Sequence, residues 1–101
     1  MRRIILSPDA KADIRSIVRW YQCTDPTLAF RFDSETRAML RHILQYPYSF
    51  PIIKGVTRRA GLKRFPYSIY YSLDMNSISV IGVVHERRAD SVWMDRGNSY
   101  S

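Results

Sequence analysis

"RRAGLKRFPYSIYYSLDMNSISVIGVVHERR", residues 58–88, is the stretch that decides how this chain folds. It opens and closes on paired arginines, Arg58-Arg59 and Arg87-Arg88, and carries one histidine, His85, near its end. Tyr67, Ile69, Tyr71 and Leu73 alternate with Ser68, Tyr70 and Ser72, the period of two expected of a half-buried strand. "DMNS" has the composition of a hairpin turn. Ile78 to His85 reads as a further strand, and its apolar residues on both faces predict a central position in a sheet. Before them, Val56 to Phe65 reads as a strand with Val56, Ala60 and Leu62 on one face and Arg59, Lys63 and Phe65 on the other.

Upstream the pattern changes period. "RRIIL" is a short apolar strand ahead of Ser7-Pro8, where serine suits an N-cap and proline the first helical position. Ile14, Ile17, Val18 and Tyr21 then fall on one stripe of an amphipathic helix, with Asp13, Arg15, Arg19 and Gln22 on the other faces. "CTDPT" ends that helix, and Asp25-Pro26 repeats the cap-then-proline signal. The second helix runs to about Tyr46, burying Leu28, Ala29, Phe32, Thr36, Met39, Leu40 and Ile43. Pro47 and Pro51 stop it, and "YPYSFPIIKG" reads as a rigid aromatic connection. The predicted order is β-α-α-β-β-β: an α+β fold, with a helical hairpin packed on one face of a small, mostly antiparallel sheet. One domain is expected over residues 1–96, with 97–101 as a flexible tail.

Bulk properties narrow the function classes. A chain of 101 residues with 46% hydrophobic residues can bury one core without disulfide or metal. Cys23 stands alone, so no internal disulfide is possible, and no His/Cys set has zinc spacing. A lone thiol suits a reducing compartment, most simply the cytoplasm. No run approaches the roughly 20 apolar residues of a membrane span, and no secretory apolar region follows the first residues. The net charge of +7 favours polyanionic or acidic partners. Between Lys54 and Arg64 there are five cations and no carboxylate. Such charge either contacts a partner or guards a sheet edge against aggregation.

Two chemistries compete for these cations. Cleaving RNA needs a base for the 2′-hydroxyl, an acid for the leaving oxygen, and cations for the phosphorane. Arg58, Arg59, Lys63, Arg64, Arg87, Arg88 and Arg96 offer charge, and two adjacent antiparallel strands ending in Arg58-Arg59 and Arg87-Arg88 could converge on one site. His85 has a suitable intrinsic pKa, but a histidine ending an apolar strand is commonly structural. His42, between Arg41 and Ile43, reads as a surface residue. Tyr70 points away from Tyr67 and Tyr71, which belong to the core face, and could stack on a base if exposed. No glycine-rich phosphate loop, nucleophile triad or metal cluster is present, and no metal or cofactor is expected.

"LSPDAKADIRSIVRWY", "YPYSFP", "RRAGLKRFPYSIYY", "VIGVVHERRAD" and a closing "W…R", in this order, resemble the RelE/ParE superfamily of type II toxin–antitoxin modules. The resemblance spans nearly the whole chain, and "FPYSIYY" followed by "VVHERR" is its most specific part. It implies a growth-inhibiting toxin, such as stabilises plasmids, bound by a cognate acidic antitoxin. RelE-like members are ribosome-dependent mRNA endonucleases that use lysines, arginines and a C-terminal tyrosine. ParE-like members lack a recognisable catalytic set and poison DNA gyrase. The long hairpin, "FPY" before the following strand and "H-x-R-R" after the last place this chain closer to ParE. Tyr100, four residues beyond Arg96, is not where a nuclease tyrosine would be held. The expectation is a ParE-like toxin acting by binding through Arg58, Arg59, Lys63, Arg64, Arg87, Arg88 and Arg96. The alternative is a nuclease, working on the ribosome and mRNA, that uses Arg59, Lys63, Arg87 and either Tyr70 or His85. A degenerate toxin that only binds antitoxin is a third possibility.

Overall fold

The computed structural model describes residues 2–88. Five strands and two helices form two layers: β1 (Arg3–Leu6), α1 (Pro8–Thr24), α2 (Pro26–Gln45), β2 (Ile52–Lys54), β3 (Thr57–Gly61), β4 (Tyr67–Leu73) and β5 (Ser77–His85). A single 3-10 turn, Glu86–Arg88, follows β5. The sheet order is β1-β5-β4-β3-β2; β1 runs parallel to β5 and every other pair is antiparallel. The predicted α+β architecture and the interior position of β5 are both found.

Capping explains where the helices begin and end. Ser7 is extended and its Oγ accepts from the Ala10 N–H at 3.0 Å, with Pro8 opening α1. Asp25 then serves both helices. Its N–H donates to Tyr21 O at the end of α1, and its carboxylate accepts from Thr27 N at the start of α2. Because one residue closes one helix and caps the next, the two elements must fold back on each other. Their apolar stripes meet β3–β5 in a single core built on Ile17, Tyr21, Phe32, Ile43, Ile69 and Tyr71. Phe32 is fully buried and sits edge-on to Phe65 and Tyr67, with centroids at 5.4 and 5.6 Å. Truncating it to alanine would cost about 3–5 kcal/mol.

Three sequence expectations change. The connection after α2 is not all loop: Ile52–Lys54 pairs with β3 as an edge strand. A two-residue turn joins them, with Gly55 at φ +58 in the first central position, the conformation a II′ hairpin requires. Next, β3 covers only Thr57–Gly61, so the face assignment made for Val56–Phe65 does not hold. Val56 is 62% exposed in the turn, while Phe65, beyond the strand, returns to the core beside Leu62. Asp13, finally, is not simply on an outer face of α1. Its Oδ2 accepts from the Val83 N–H at 2.9 Å.

That last contact belongs to a β-bulge. Tyr70 pairs with Gly82 and Tyr71 with Val80, so Ile81 is an extra residue in β5. Its carbonyl accepts from Ser7 Oγ at 3.0 Å, so α1 and its cap supply partners that the β4–β5 ladder lacks. The insertion reverses the side-chain phase. Ile78 and Val80 join the helix-side core before the bulge and Val83 joins it after, whereas Ile81 and Val84 cluster with Tyr70. Strand β5 is apolar on both faces for this reason.

Candidate functional site

The register places the candidate cations. Arg58 pairs with Tyr71 and Arg59 with Tyr70, at the start of β3. Gly61 pairs with Ser68, which pairs with Val84, so the exit of β3 lies level with the end of β5. Leu62 N donates to Tyr67 O and Glu86 N to Pro66 O, both at 2.9 Å. Lys63 and Arg64 therefore share one end of the sheet with Arg87 and Arg88, while Arg58 and Arg59 lie level with the middle of β4 and β5. Convergence of the two arginine pairs is not observed. Strand β4 separates β3 from β5, and Arg59 lies level with Gly82, five residues before Arg87.

Arg58 and Arg59 also occupy opposite faces. Residues paired across an antiparallel ladder share a face, so Arg58 joins Tyr71 on the helix side and Arg59 joins Tyr70 on the other. Arg58 is committed to structure. Its Nη1 donates to Phe50 O at 2.7 Å, and its guanidinium lies 5.2 Å from the Tyr48 ring centroid. Arg2 also reaches Tyr48, donating to the hydroxyl at 2.8 Å, and Tyr71 Oη donates to Pro47 O at 2.8 Å. These contacts fasten the proline-rich connection to the sheet. Burial raises the pKa of the Tyr71 phenol, partly offset by the Arg58 charge.

Tyr70 is 1% exposed, packed with Ile81 and Val84. It cannot stack on a base or exchange a proton with a bound chain from that position. His85 is half-buried, on the helix side of the sheet through the bulge. It pairs with Tyr67, edge-on at a centroid distance of 5.1 Å, and its Nδ1 accepts from Arg87 N at 3.1 Å. A concavity of about 420 Å³ beside it is walled by α1 residues Ile17, Trp20 and Tyr21 and by Pro66 and Tyr67. Burial raises the phenol pKa of Tyr67, and that of Tyr21, on which the Tyr67 charge acts second.

Arg59, Lys63, Arg64, Arg87 and Arg88 are solvent-exposed. Arg96 and Tyr100 lie outside the described residues, as do the closing "W…R" and the expected tail. Among the described residues no group of three or more His, Cys, Asp or Glu could hold a metal ion, and no helix is long and apolar enough to cross a membrane.

Glu35 is a residue the sequence did not single out. Its Oε2 accepts from both Lys63 N at 2.6 Å and Arg64 N at 3.2 Å, tying the β3–β4 loop to α2. The available signal was its place three residues after buried Phe32 and four before Met39, at the border of the apolar stripe. A cavity of about 400 Å³ opens along α2, lined by Glu35, Ala38, Met39, His42, Phe50, Gly61 and Lys63. His42 is exposed as expected, yet its ring packs 5.5 Å from Phe50.

The fold and site thus define a small basic α+β protein in which the exposed Lys63, Arg64, Arg87 and Arg88 share one end of the sheet, with a groove along α2 that Lys63 also lines. Residues 4–90 match the family described as ParE toxin of type II toxin-antitoxin system, parDE. The chain belongs to this family, and is a ParE-like toxin of the RelE/ParE superfamily. Among solved structures, it is similar to one described as the chromosomal ParDE TA system from P. aeruginosa. The TM-score is 0.73 at 18% identity, covering 84% of this chain and 95% of that one, a likeness of fold. No curated protein matches it.

Proposed function

We propose that this toxin arrests growth by binding DNA gyrase in the cytoplasm, without a catalytic centre of its own, and that a cognate acidic antitoxin neutralises it. The observation that supports binding over catalysis is the scatter of the nuclease candidates. Arg59 lies on the face and row of buried Tyr70, whereas His85 faces the helix layer at the far end of the sheet. Lys63 and Arg87 share His85's end of the sheet, beyond the ladder rows that hold Arg59 and Tyr70. General acid–base catalysis contributes about 10²–10⁴-fold and needs its proton-moving group within hydrogen-bond reach of the reacting oxygen. Exposed cations on a rigid sheet end suit recognition of a charged surface instead.

Antitoxin capture is supported by the groove along α2. Its lining includes the apolar Ala38, Met39 and Phe50 together with Glu35, His42 and the cation Lys63. An acidic, amphipathic segment that folds on binding could cover such a surface. Co-expression with the neighbouring short acidic reading frame should yield a stable complex.

The target is tested by pairing two assays. Purified toxin should block gyrase supercoiling and trap cleaved DNA, and brief induction should trigger a DNA-damage response before translation fails. Codon-phased mRNA cuts within minutes, mapped at RNA 5′ ends, with gyrase unimpaired, would establish the nuclease reading instead.

A further inference from the structure

We propose that Glu35 is a positioning residue for target contact: its carboxylate, bonded to two successive N–H groups, sets where the Lys63 and Arg64 side chains stand. Both bonds come from consecutive residues of one loop and converge on the same oxygen, Oε2. Hydrogen bonds to an ionised acceptor are the stronger kind. The loop lies between the core residues Leu62 and Phe65, which fix its two ends. Glu35 therefore determines the path of the only two residues between them.

The consequence is a division of cations. Glu35 lines two concavities on the α2 flank. Lys63 lines the one with Met39, His42 and Phe50, while Arg64 lines the other, with Phe30, Arg31 and Ser34. Phe30 is 72% exposed there, so each concavity offers an aromatic or apolar wall with one loop cation at its rim. Without the carboxylate, two N–H groups lose their acceptor and both cations lose their fixed origin. Holding the loop backbone in place lowers the ordering cost when the partner arrives. This inference rests on the reading that Lys63 and Arg64 contact the target.

The test is a cycle of variants read by growth arrest under graded induction, at matched protein level, with thermal melts of the purified proteins alongside. Glu35→Ala should weaken inhibition about tenfold, corresponding to ~1.4 kcal/mol. Glu35→Gln keeps an oxygen acceptor at the same reach and should restore most of that loss. The Lys63→Ala/Arg64→Ala pair should weaken inhibition strongly, and adding Glu35→Ala to it should change nothing further. A full additional loss in the triple variant would overturn the positioning role, because Glu35 would then act by itself or through stability. An inert Glu35→Ala beside an impaired Lys63/Arg64 pair would sink the inference while sparing the cation reading. Full toxicity in the Lys63/Arg64 pair would end both. Should Glu35→Ala unfold, the Glu35→Gln protein still decides by amide exchange: Lys63 and Arg64 should stay protected, and rapid exchange with full toxicity refutes the proposal.

Discussion

Replacing Asp13 by alanine tests whether the β5 bulge depends on α1. The Asp13 carboxylate accepts from the Val83 N–H, two residues beyond the extra residue Ile81. A hydrogen bond to a charged group is worth about 1.5–3 kcal/mol, and an orphaned buried N–H keeps its desolvation penalty. Alanine returns part of this, since it is a better helix former than aspartate by ~0.5 kcal/mol. A net loss of about 1.5 kcal/mol follows. For a domain near this size each kcal/mol moves Tm by about 4–8 °C, so the melt should fall by roughly 6–12 °C.

Urea unfolding is the assay, with the midpoint lowered and the slope unchanged. Asp13→Asn separates the bond from the charge. It retains an oxygen acceptor for Val83 and should lose less than half as much. Amide exchange should report the same site, with Val83 opening faster in Asp13→Ala. Two results would refute the reasoning: a loss below ~0.5 kcal/mol, or an equal loss in both variants, which would place the stabilisation in Asp13's charge and not in the bulge.

Other consequences are simpler to state. Reversing Lys63 and Arg87 to glutamate should abolish growth inhibition while far-UV circular dichroism and the melt stay close to the parent, since both side chains are exposed. His85→Ala should keep most of the toxicity yet melt lower, because it removes a ring packed on Tyr67; loss of toxicity in a folded His85→Ala protein would favour the nuclease. Thr36 is 2% exposed and its Oγ1 has no partner among the described residues, so Thr36→Val should stabilise by about 1 kcal/mol in urea. Asp74 is held below its ordinary 3.8 by N–H and hydroxyl donors from Asn76 and Ser77. Its stabilisation is present above the unfolded value and fades as pH falls through the lower folded one, so Asp74→Asn should flatten the acid limb of a stability–pH curve.

How far the sequence could carry this differs by element. Both helices were legible because two independent signals agreed, the Ser7-Pro8 and Asp25-Pro26 caps and the stripes ending in Tyr21 and Ile43. Strand β2 was hidden for a physical reason. It has three residues, directly after Pro51, and the aromatic-proline composition around it outweighs so short a signal. The Gly55-Val56 pair between Lys54 and Thr57 was the clue that remained. Nor could the bulge be read from "VIGVV", where apolar residues satisfy either phase and a one-residue shift leaves no polar mark. Only the partners across the ladder, with Ser7 and Asp13 behind it, fix which side chains turn inward.

The cations show where composition stops being informative. Arg58 and Arg59 are adjacent in sequence and equal in charge, and for that reason a strand must send them to opposite faces. One lies under the connection and gives its donors to a backbone carbonyl; the other stands exposed. Because Arg58 Nη1 fastens the connection, loss of Arg58 should show in stability. Lys63 and Arg64 escape that alternation because the strand has ended at Gly61, and a carboxylate from α2 takes over the task of aiming them. On the proposed reading, the recognition surface is the charge that stands exposed where the ladder has ended. The sheet end holding Lys63, Arg64 and Arg87 is that place, which is why substitutions there should change toxicity and substitutions at Arg58 should change stability.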